Sequence, residues 1–352
     1  MKKILIFYGK YGGGHFSAAK SIKDYIDKFY SNYDVEIVDC IEYVNKFVNK
    51  ITTGMFSSIV KNSPKLWGKI YRGSNSGLLG NFSNTANKLM AKKLYKLIRN
   101  FEPDLIISVL PFSSNMCSYL KKHGKINCKY ATIMTDFGLH NQWLRYGEYN
   151  DYIFVAHDGM RNSLLERGLN KDKIFSTGIP ISPRFSETFS SNEIHENLGL
   201  SKDLPICILF GGGEFGFSKE LIEKVFSTLI SNFENIQVIA IAGKNEKIKS
   251  DFEKIVNNLN KNKFVKVLGF TDKVPELMSI SSFVISKSGG LTTSECIASN
   301  LPMFIVSPLP GQEEDNARFI EANNAGYWLK NNDDIKSCLD SFINNLDTMK
   351  DN

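Results

Sequence analysis

The chain has 352 residues, of which 42% are hydrophobic and 23% charged, and its formal net charge is +6. This composition excludes wholesale disorder and suits a globular protein with room for about two domains of roughly 150 residues. The longest apolar runs, such as "ICILF" and "DLIISVL", are strand-sized, well short of the roughly 20 residues that span a bilayer.

The N-terminal "MKKILIFYG" has a short apolar run and no small-residue cleavage site, so a secretory leader is not expected and a cytoplasmic location is. Its apolar residues predict a strand near 3–8, followed by a glycine cluster, His15 and a helix. Further strands are expected near 35–39, 104–109, 130–134 and 152–155, alternating with helix-period segments. The pattern then restarts with strands near 206–210, 236–241, 264–268, 283–286 and 303–306. Between the halves lies a polar, proline-punctuated stretch that reads as a linker. The expected domains are residues 1–180 and 205–352, joined by a linker at 181–204. Strands alternating with helices at this spacing predict an α/β protein of two doubly wound, Rossmann-like parallel sheets facing across a cleft. In such sheets ligands bind outside the carboxyl ends of the strands.

The charge is unevenly placed. No acidic residue occurs between Glu42 and Glu102, while that stretch holds eleven basic ones. The remaining chain has 32 basic against 37 acidic residues and is net −5. Val44, Phe47, Val48, Ile51, Met55 and Ile59 share a helical stripe in 44–59, and Leu89, Met90, Leu94, Leu97 and Ile98 share one in 88–99. Anionic lipid surfaces attract such basic segments, and Trp67 adds an interfacial ring. The bland reading is two surface helices packed on the first sheet. It is favoured for 88–99, whereas membrane docking is favoured for 44–80, through Lys61, Lys65, Trp67, Lys69 and Arg72. No motif supports nucleic-acid binding. The six cysteines are scattered without a C-x-x-C and read as reduced thiols.

The first glycine cluster is not a P-loop, because His15 and Phe16 stand where Lys and Ser would follow. A histidine in a turn is more often structural, but one on the ligand face of a parallel sheet is well placed as a general base. The second cluster, Gly211 to Gly216, fits G-x-G-x-x-G. The next strand, "IQVIAIAGKN", ends in Gly243 and Lys244 rather than in a ribose-binding acid, so a dinucleotide site is not expected. What survives is bare backbone N–H near a helix start, able to hold phosphate. The stretch "FVISKSGGLTTSECIASNLPMFIVSPLPGQEEDNARFI", residues 283–320, joins a Ser-Gly-Gly turn to a helix and ends in an acidic cluster. Its turn suits a diphosphate, Glu295 in the first helical turn suits ribose hydroxyls, and Gln312 and Glu313 suit sugar hydroxyls. Against this, Glu295 could simply favour the helix dipole, and 312–316 could be a solvated loop.

This stretch resembles the donor-binding region of family 28 glycosyltransferases, which have two Rossmann-like domains in the GT-B arrangement. "GKYGGGHFSAAKSI" and "ATIMTDFGLHNQWL" narrow the resemblance to the diacylglycerol glycosyltransferase and monogalactosyldiacylglycerol synthase branch. The resemblance implies that His15 deprotonates the acceptor, with Asp136 as a rival or orienting group. Asp136 and His140 fit the branch's T-D-x-x-x-H pattern, and His140 and Trp143 would lie on the acceptor side. It implies a UDP-sugar site from Gly13, Gly14, Gly211, Gly212, Gly213, Ser288, Gly289, Gly290 and Thr292. Phe270 and Thr271 would meet uracil, Glu295 ribose, and Gln312 and Glu313 the hexose. The final residues, 335–352, would cross back onto the first domain.

The implied reaction is a metal-independent, inverting transfer of a hexose from a UDP-hexose to diacylglycerol, at the inner face of the cell membrane. Glucose is favoured and galactose is the alternative. No D-x-D motif is present, so neither metal nor cofactor is expected. The rival readings are an N-acetylglucosaminyltransferase acting on an undecaprenyl-linked precursor, a UDP-sugar epimerase, and a non-catalytic UDP-sugar sensor on membranes.

Overall fold

The computed structural model describes the chain except residues 11–12, 45–58, 60–62, 74–77, 146, 212–218, 331–332 and 351–352. At 64, 67, 70–72 and 78–89 it describes the backbone alone. Among the described residues, no helix is long and apolar enough to cross a membrane.

Residues 1–183 fall in a first unit built on a parallel sheet of order β2-β1-β3-β4-β5-β6. The strands are β1 Lys2–Tyr8, β2 Tyr33–Asp39, β3 Leu105–Ser108, β4 Lys129–Ile133, β5 Tyr152–Val155 and β6 Ile174–Ser176. Leu5, Ile6 and Phe7 are consecutive and fully buried, as a strand must be when both faces of its sheet are covered. Ile6 pairs with Ile37 of β2 on one side and Ile107 of β3 on the other. The chain therefore runs outward from β1 to β2 and then returns to β1's other edge. That reversal opens a crevice beyond the carboxyl ends of β1 and β3.

The helix Gly14–Phe29 leaves β1 and lays its buried Ala18 and Ala19 against the unit's interior. The helix Leu78–Phe101 brings Ala91, Leu94 and Ile98 into one core with Leu5, Phe7, Ile106 and Tyr130. Met90, Leu94, Leu97 and Ile98 of the 88–99 stripe are thus core packing. Val44 is buried in the same core, while 45–58 of the 44–59 stripe lie outside the described residues.

The second unit starts at Arg184 and carries a parallel sheet of order β12-β11-β10-β7-β8-β9. Its strands are β7 Ile206–Phe210, β8 Gln237–Ile241, β9 Val265–Leu268, β10 Phe283–Ser286, β11 Met303–Ile305 and β12 Gly326–Trp328. Here the order reverses between β7 and β10. Side chains alternate between two cores: Cys207 and Leu209 face one, Ile206 and Ile208 the other. The first core is rich in rings, with Phe226 and Phe252 centroids 4.7 Å apart and Phe304 and Phe342 centroids 5.4 Å apart.

The ten expected strands are all present, within a few residues. β6 and β12 were not expected; each has three residues, too few to show a period. They exist because β5 and β11 offer them unpaired edges. Most of the segment expected as a linker is packed structure. It contains the helix Ser191–Leu198, closed by Gly199 at φ 58°. Phe185, Ile194, Leu198 and Leu200 join the second unit's core. The last described residues fall in the second unit. In the helix Ile335–Asn344, Ile335, Leu339 and Phe342 form one stripe buried among Phe283, Phe304 and Leu329. The second sheet's own ring-lined face consumes that stripe.

Gly211, just past β7, is held by packing. A Cβ there would lie 2.3 Å from two ring atoms of Phe252. Gly211→Ala is expected to lower stability by about 1–3 kcal/mol through overpacking, measured by denaturant unfolding.

Candidate active site

His15 sits in the first turn of its helix, beyond β1, at the first unit's reversal point. Its Nδ1 lies 2.7 Å from the carbonyl oxygen of Val109, just past β3. It is also 3.1 Å from Oγ1 of Thr135, just past β4. A carbonyl oxygen only accepts hydrogen bonds, so Nδ1 carries the proton and donates to it. Nε2 is left with its lone pair. Burial lowers the His15 pKa to about 4, against a smaller opposing effect of the Val109 hydrogen bond. The imidazole is therefore neutral at pH 7, with Nε2 ready to accept a proton. Two helix ends favour this state. The helix Gly14–Phe29 has no side-chain cap and no acid in its first turn, and Pro111–Lys122, starting two residues after Val109, has none either. Their positive ends disfavour an imidazolium.

Asp136 lies half-buried in the bend beyond β4, next to Thr135. His140 is buried and its Nδ1 accepts the Gln142 N–H at 3.2 Å. His157 Nε2 donates to the Phe137 carbonyl at 2.9 Å, which pins the 135–140 stretch from a neighbouring helix start. Trp143, expected on the acceptor side, is a buried side chain. It is 3% exposed and packs with Met134, Ile153 and Val155 in the core of the first unit. Gly13 has open space around its missing side chain, and Gly14 opens the helix.

In the second unit, Ser288 and Gly289 follow β10 and lead into the helix Gly290–Ala298. Gly289 is the N-cap and provides no side-chain cap; the helix's first turn has no acid. The N–H groups of Gly290, Leu291 and Thr292 therefore remain without intrahelical partners, a ready place for anionic oxygens. Ser288 is buried, and its hydroxyl donates to the Glu313 carbonyl at 2.6 Å. Glu295 falls in the second turn, not the first, because the helix starts at Gly290. Burial raises its pKa to about 7.

Glu313 was expected to meet the hexose, but its carboxylate is committed within the protein. It is buried; Oε1 accepts from Lys287 Nζ at 2.7 Å and Oε2 from the Leu309 N–H at 2.7 Å. Asn316 Nδ2 adds a 2.8 Å bond to the Ser288 carbonyl. These contacts tie the loop after β10 to the loop after β11. Gln312 is half-buried at the start of the helix Gln312–Ala322, whose first-turn acids suit its positive end. The 312–316 cluster is thus a helix start rather than a solvated loop.

Phe270, beyond β9, is 68% exposed, with Lys244 Nζ 5.0 Å from its ring centroid. Thr271 Oγ1 accepts the Lys273 N–H at 3.1 Å. Gly211 donates its N–H to the Ile241 carbonyl at 2.9 Å, so that group is spent on the sheet. Gly212, Gly213 and Lys61 lie outside the described residues, as do the side chains of Trp67 and Arg72. Lys65 and Lys69 are exposed on the helix Pro64–Gly73. Sequence reasoning missed Val109, Thr135 and Lys287. The last two adjoin residues it singled out, Asp136 and Ser288, but only the fold shows what they touch.

Residues 15–181 match the family described as monogalactosyldiacylglycerol (MGDG) synthase, and residues 206–352 match the glycosyltransferase family 28 C-terminal domain. A processive diacylglycerol beta-glucosyltransferase of Bacillus licheniformis is 30% identical over 100% of this chain and 90% of that protein. One from Bacillus subtilis is 28% identical over 99% of this chain and 88% of its own length. Among solved structures, Acinetobacter baumannii MurG aligns with TM-score 0.64 at 12% identity, covering 100% of this chain and 93% of that one. The UDP-GlcNAc 2-epimerase of Neisseria meningitidis aligns with TM-score 0.61 at 13% identity, covering 99% and 94%. Those two likenesses establish the fold, two Rossmann-like domains of the GT-B type. Together with the sequence relatives, they make this protein a GT-B glycosyltransferase. It belongs to glycosyltransferase family 28, in the diacylglycerol glycosyltransferase branch.

Glu313→Ala would break the ion pair with Lys287 and remove the acceptor of the Leu309 N–H. It is expected to cost about 3 kcal/mol, the low end for breaking a buried pair because Lys287 keeps some solvent contact. Urea unfolding measures it.

Proposed function

We propose that this enzyme transfers a hexose, glucose in preference to galactose, from a UDP-sugar to 1,2-diacylglycerol. The observation that carries this reading is His15, neutral and with Nε2 free to accept a proton, at the reversal point of the first sheet. The named activity of the Bacillus relatives supports the acceptor and the sugar. In this reading Nε2 takes the proton of the acceptor hydroxyl as its oxygen attacks the anomeric carbon. The bond to the UDP oxygen breaks from the opposite face, and an α-linked donor gives a β-linked product. Charge on departing UDP falls to the bare N–H groups of Gly290, Leu291 and Thr292, dipoles fixed before the reaction. No divalent metal is invoked.

Glu295 takes the ribose hydroxyls and Phe270 lies where a base could meet it. Asp136 and His140 flank the acceptor. The protein attaches peripherally to an anionic membrane on the cytoplasmic side, drawn in part by Lys65 and Lys69, each worth about 1 kcal/mol near such a surface. An epimerase would share the fold, but would not need this basic segment.

The decisive assay mixes the protein with diacylglycerol in anionic vesicles and one UDP-sugar at a time, with chelator present. A β-linked hexosyl-diacylglycerol is expected from UDP-glucose. No glycolipid from any donor, with UDP still bound, would overturn the acceptor. His15→Ala should cut turnover by about 10²–10⁴-fold while UDP affinity stays near wild type; an equal loss of UDP affinity would make His15 structural.

Glu295 gives a pH signature. Ribose hydroxyls donate to a carboxylate, so binding favours its ionised form. With the free carboxyl near pH 7, UDP-glucose affinity should fall about tenfold from pH 8 to pH 6, and Glu295→Gln should flatten that dependence. Titration calorimetry without acceptor reads both.

A further inference from the structure

We propose that Thr135 is a positioning residue for His15: with the Val109 carbonyl, its hydroxyl holds the imidazole in the Nδ1–H tautomer and aims Nε2 outward. This rests on the reading of His15 as the base. Three adjacent strands of the first sheet, in the order β1-β3-β4, end side by side. His15 follows the first, Val109 the second and Thr135 the third. The Val109 carbonyl at 2.7 Å requires a proton on Nδ1. Thr135 Oγ1, at 3.1 Å from the same nitrogen, must then accept as well, sharing one N–H between two oxygens.

The environment makes this restraint firm. Thr135 is 4% exposed, so water does not compete for its hydroxyl. Its branched Cβ restricts χ1 and holds Oγ1 in one direction. When Nε2 accepts a proton, the positive charge is shared with Nδ1–H, and both oxygens then bond to a cation. Hydrogen bonds to charged groups are stronger than neutral ones, so the pair stabilises the state formed during the reaction more than the resting state. A neutral carbonyl and hydroxyl do this without charging the ring beforehand.

The test uses Thr135→Val, which keeps the shape and removes the oxygen, and Thr135→Ser, which keeps the oxygen. Valine should lower kcat about 10- to 100-fold with the UDP-glucose KM within about twofold of wild type; serine should restore most of the turnover. The second readout is the ¹⁵N spectrum of histidine-labelled full-length protein, with the His15 signal among the five histidines assigned from its loss in His15→Ala. Wild type should show His15 as Nδ1–H, and valine, which leaves the Val109 carbonyl in place, should keep that tautomer while shifting the Nδ1 signal as the shared N–H loses its second acceptor. Wild-type His15 in the Nε2–H form overturns the proposal outright, even if the valine variant does not fold. Wild-type kcat in Thr135→Val beside an inactive His15→Ala overturns Thr135 alone. Full turnover in His15→Ala overturns the base reading, and the catalytic part of Thr135 with it.

Discussion

Each sheet reverses its strand order once, and that constraint places His15, Val109 and the Ser288–Gly290 turn. Parallel strands need helical crossovers, and the crossovers cover both faces. Where the order reverses, the two crossovers leave in opposite directions and uncover the carboxyl ends between them. In the first sheet this happens between β1 and β3, the ends that bring His15 and Val109 together. In the second it happens between β7 and β10, the ends that lead into Gly211 and into the Ser288–Gly290 turn. At Gly14 and at Gly290 a helix starts with no side chain capping its N–H groups.

The bare helix starts act differently in the two sheets. In the first, burial keeps a histidine uncharged, and the ends beginning at Gly14 and Pro111 act in the same sense. In the second, the end beginning at Gly290 faces no acid of its own first turn and is left for an external anion. The same partial charge thus favours a neutral histidine in one place and would favour a negative ligand in the other. The carboxylate of Glu313 is drawn into the second arrangement as a strut. Lys287 and the Leu309 N–H satisfy both its oxygens, which lets a charged group sit buried between two loops.

Much of the fold was legible in the chain. Ten apolar runs marked ten strands, because a strand buried on both faces needs no pattern other than continuity. β6 and β12 escaped because three residues carry no period, and they form only on the edges of β5 and β11. The helix at 191–198 was hidden in a polar stretch, since one turn of Ile194 and Leu198 is too little apolar surface to stand out. At the site, the sequence marked His15, the turn at 288–290 and the helix after it. The burial of Trp143 and the pairing of Glu313 with Lys287 were not legible there, because both depend on elements brought together by the fold.

The sequence by itself determined the parallel α/β class, the two halves, the family and the histidine that follows the first glycine turn. These are local properties, set by hydrophobic runs, glycine spacing and residue type. Tertiary structure alone decided which nitrogen of that histidine holds the proton. Its two partners stand 94 and 120 residues away along the chain, and only the order of the strands brings their oxygens to the same ring.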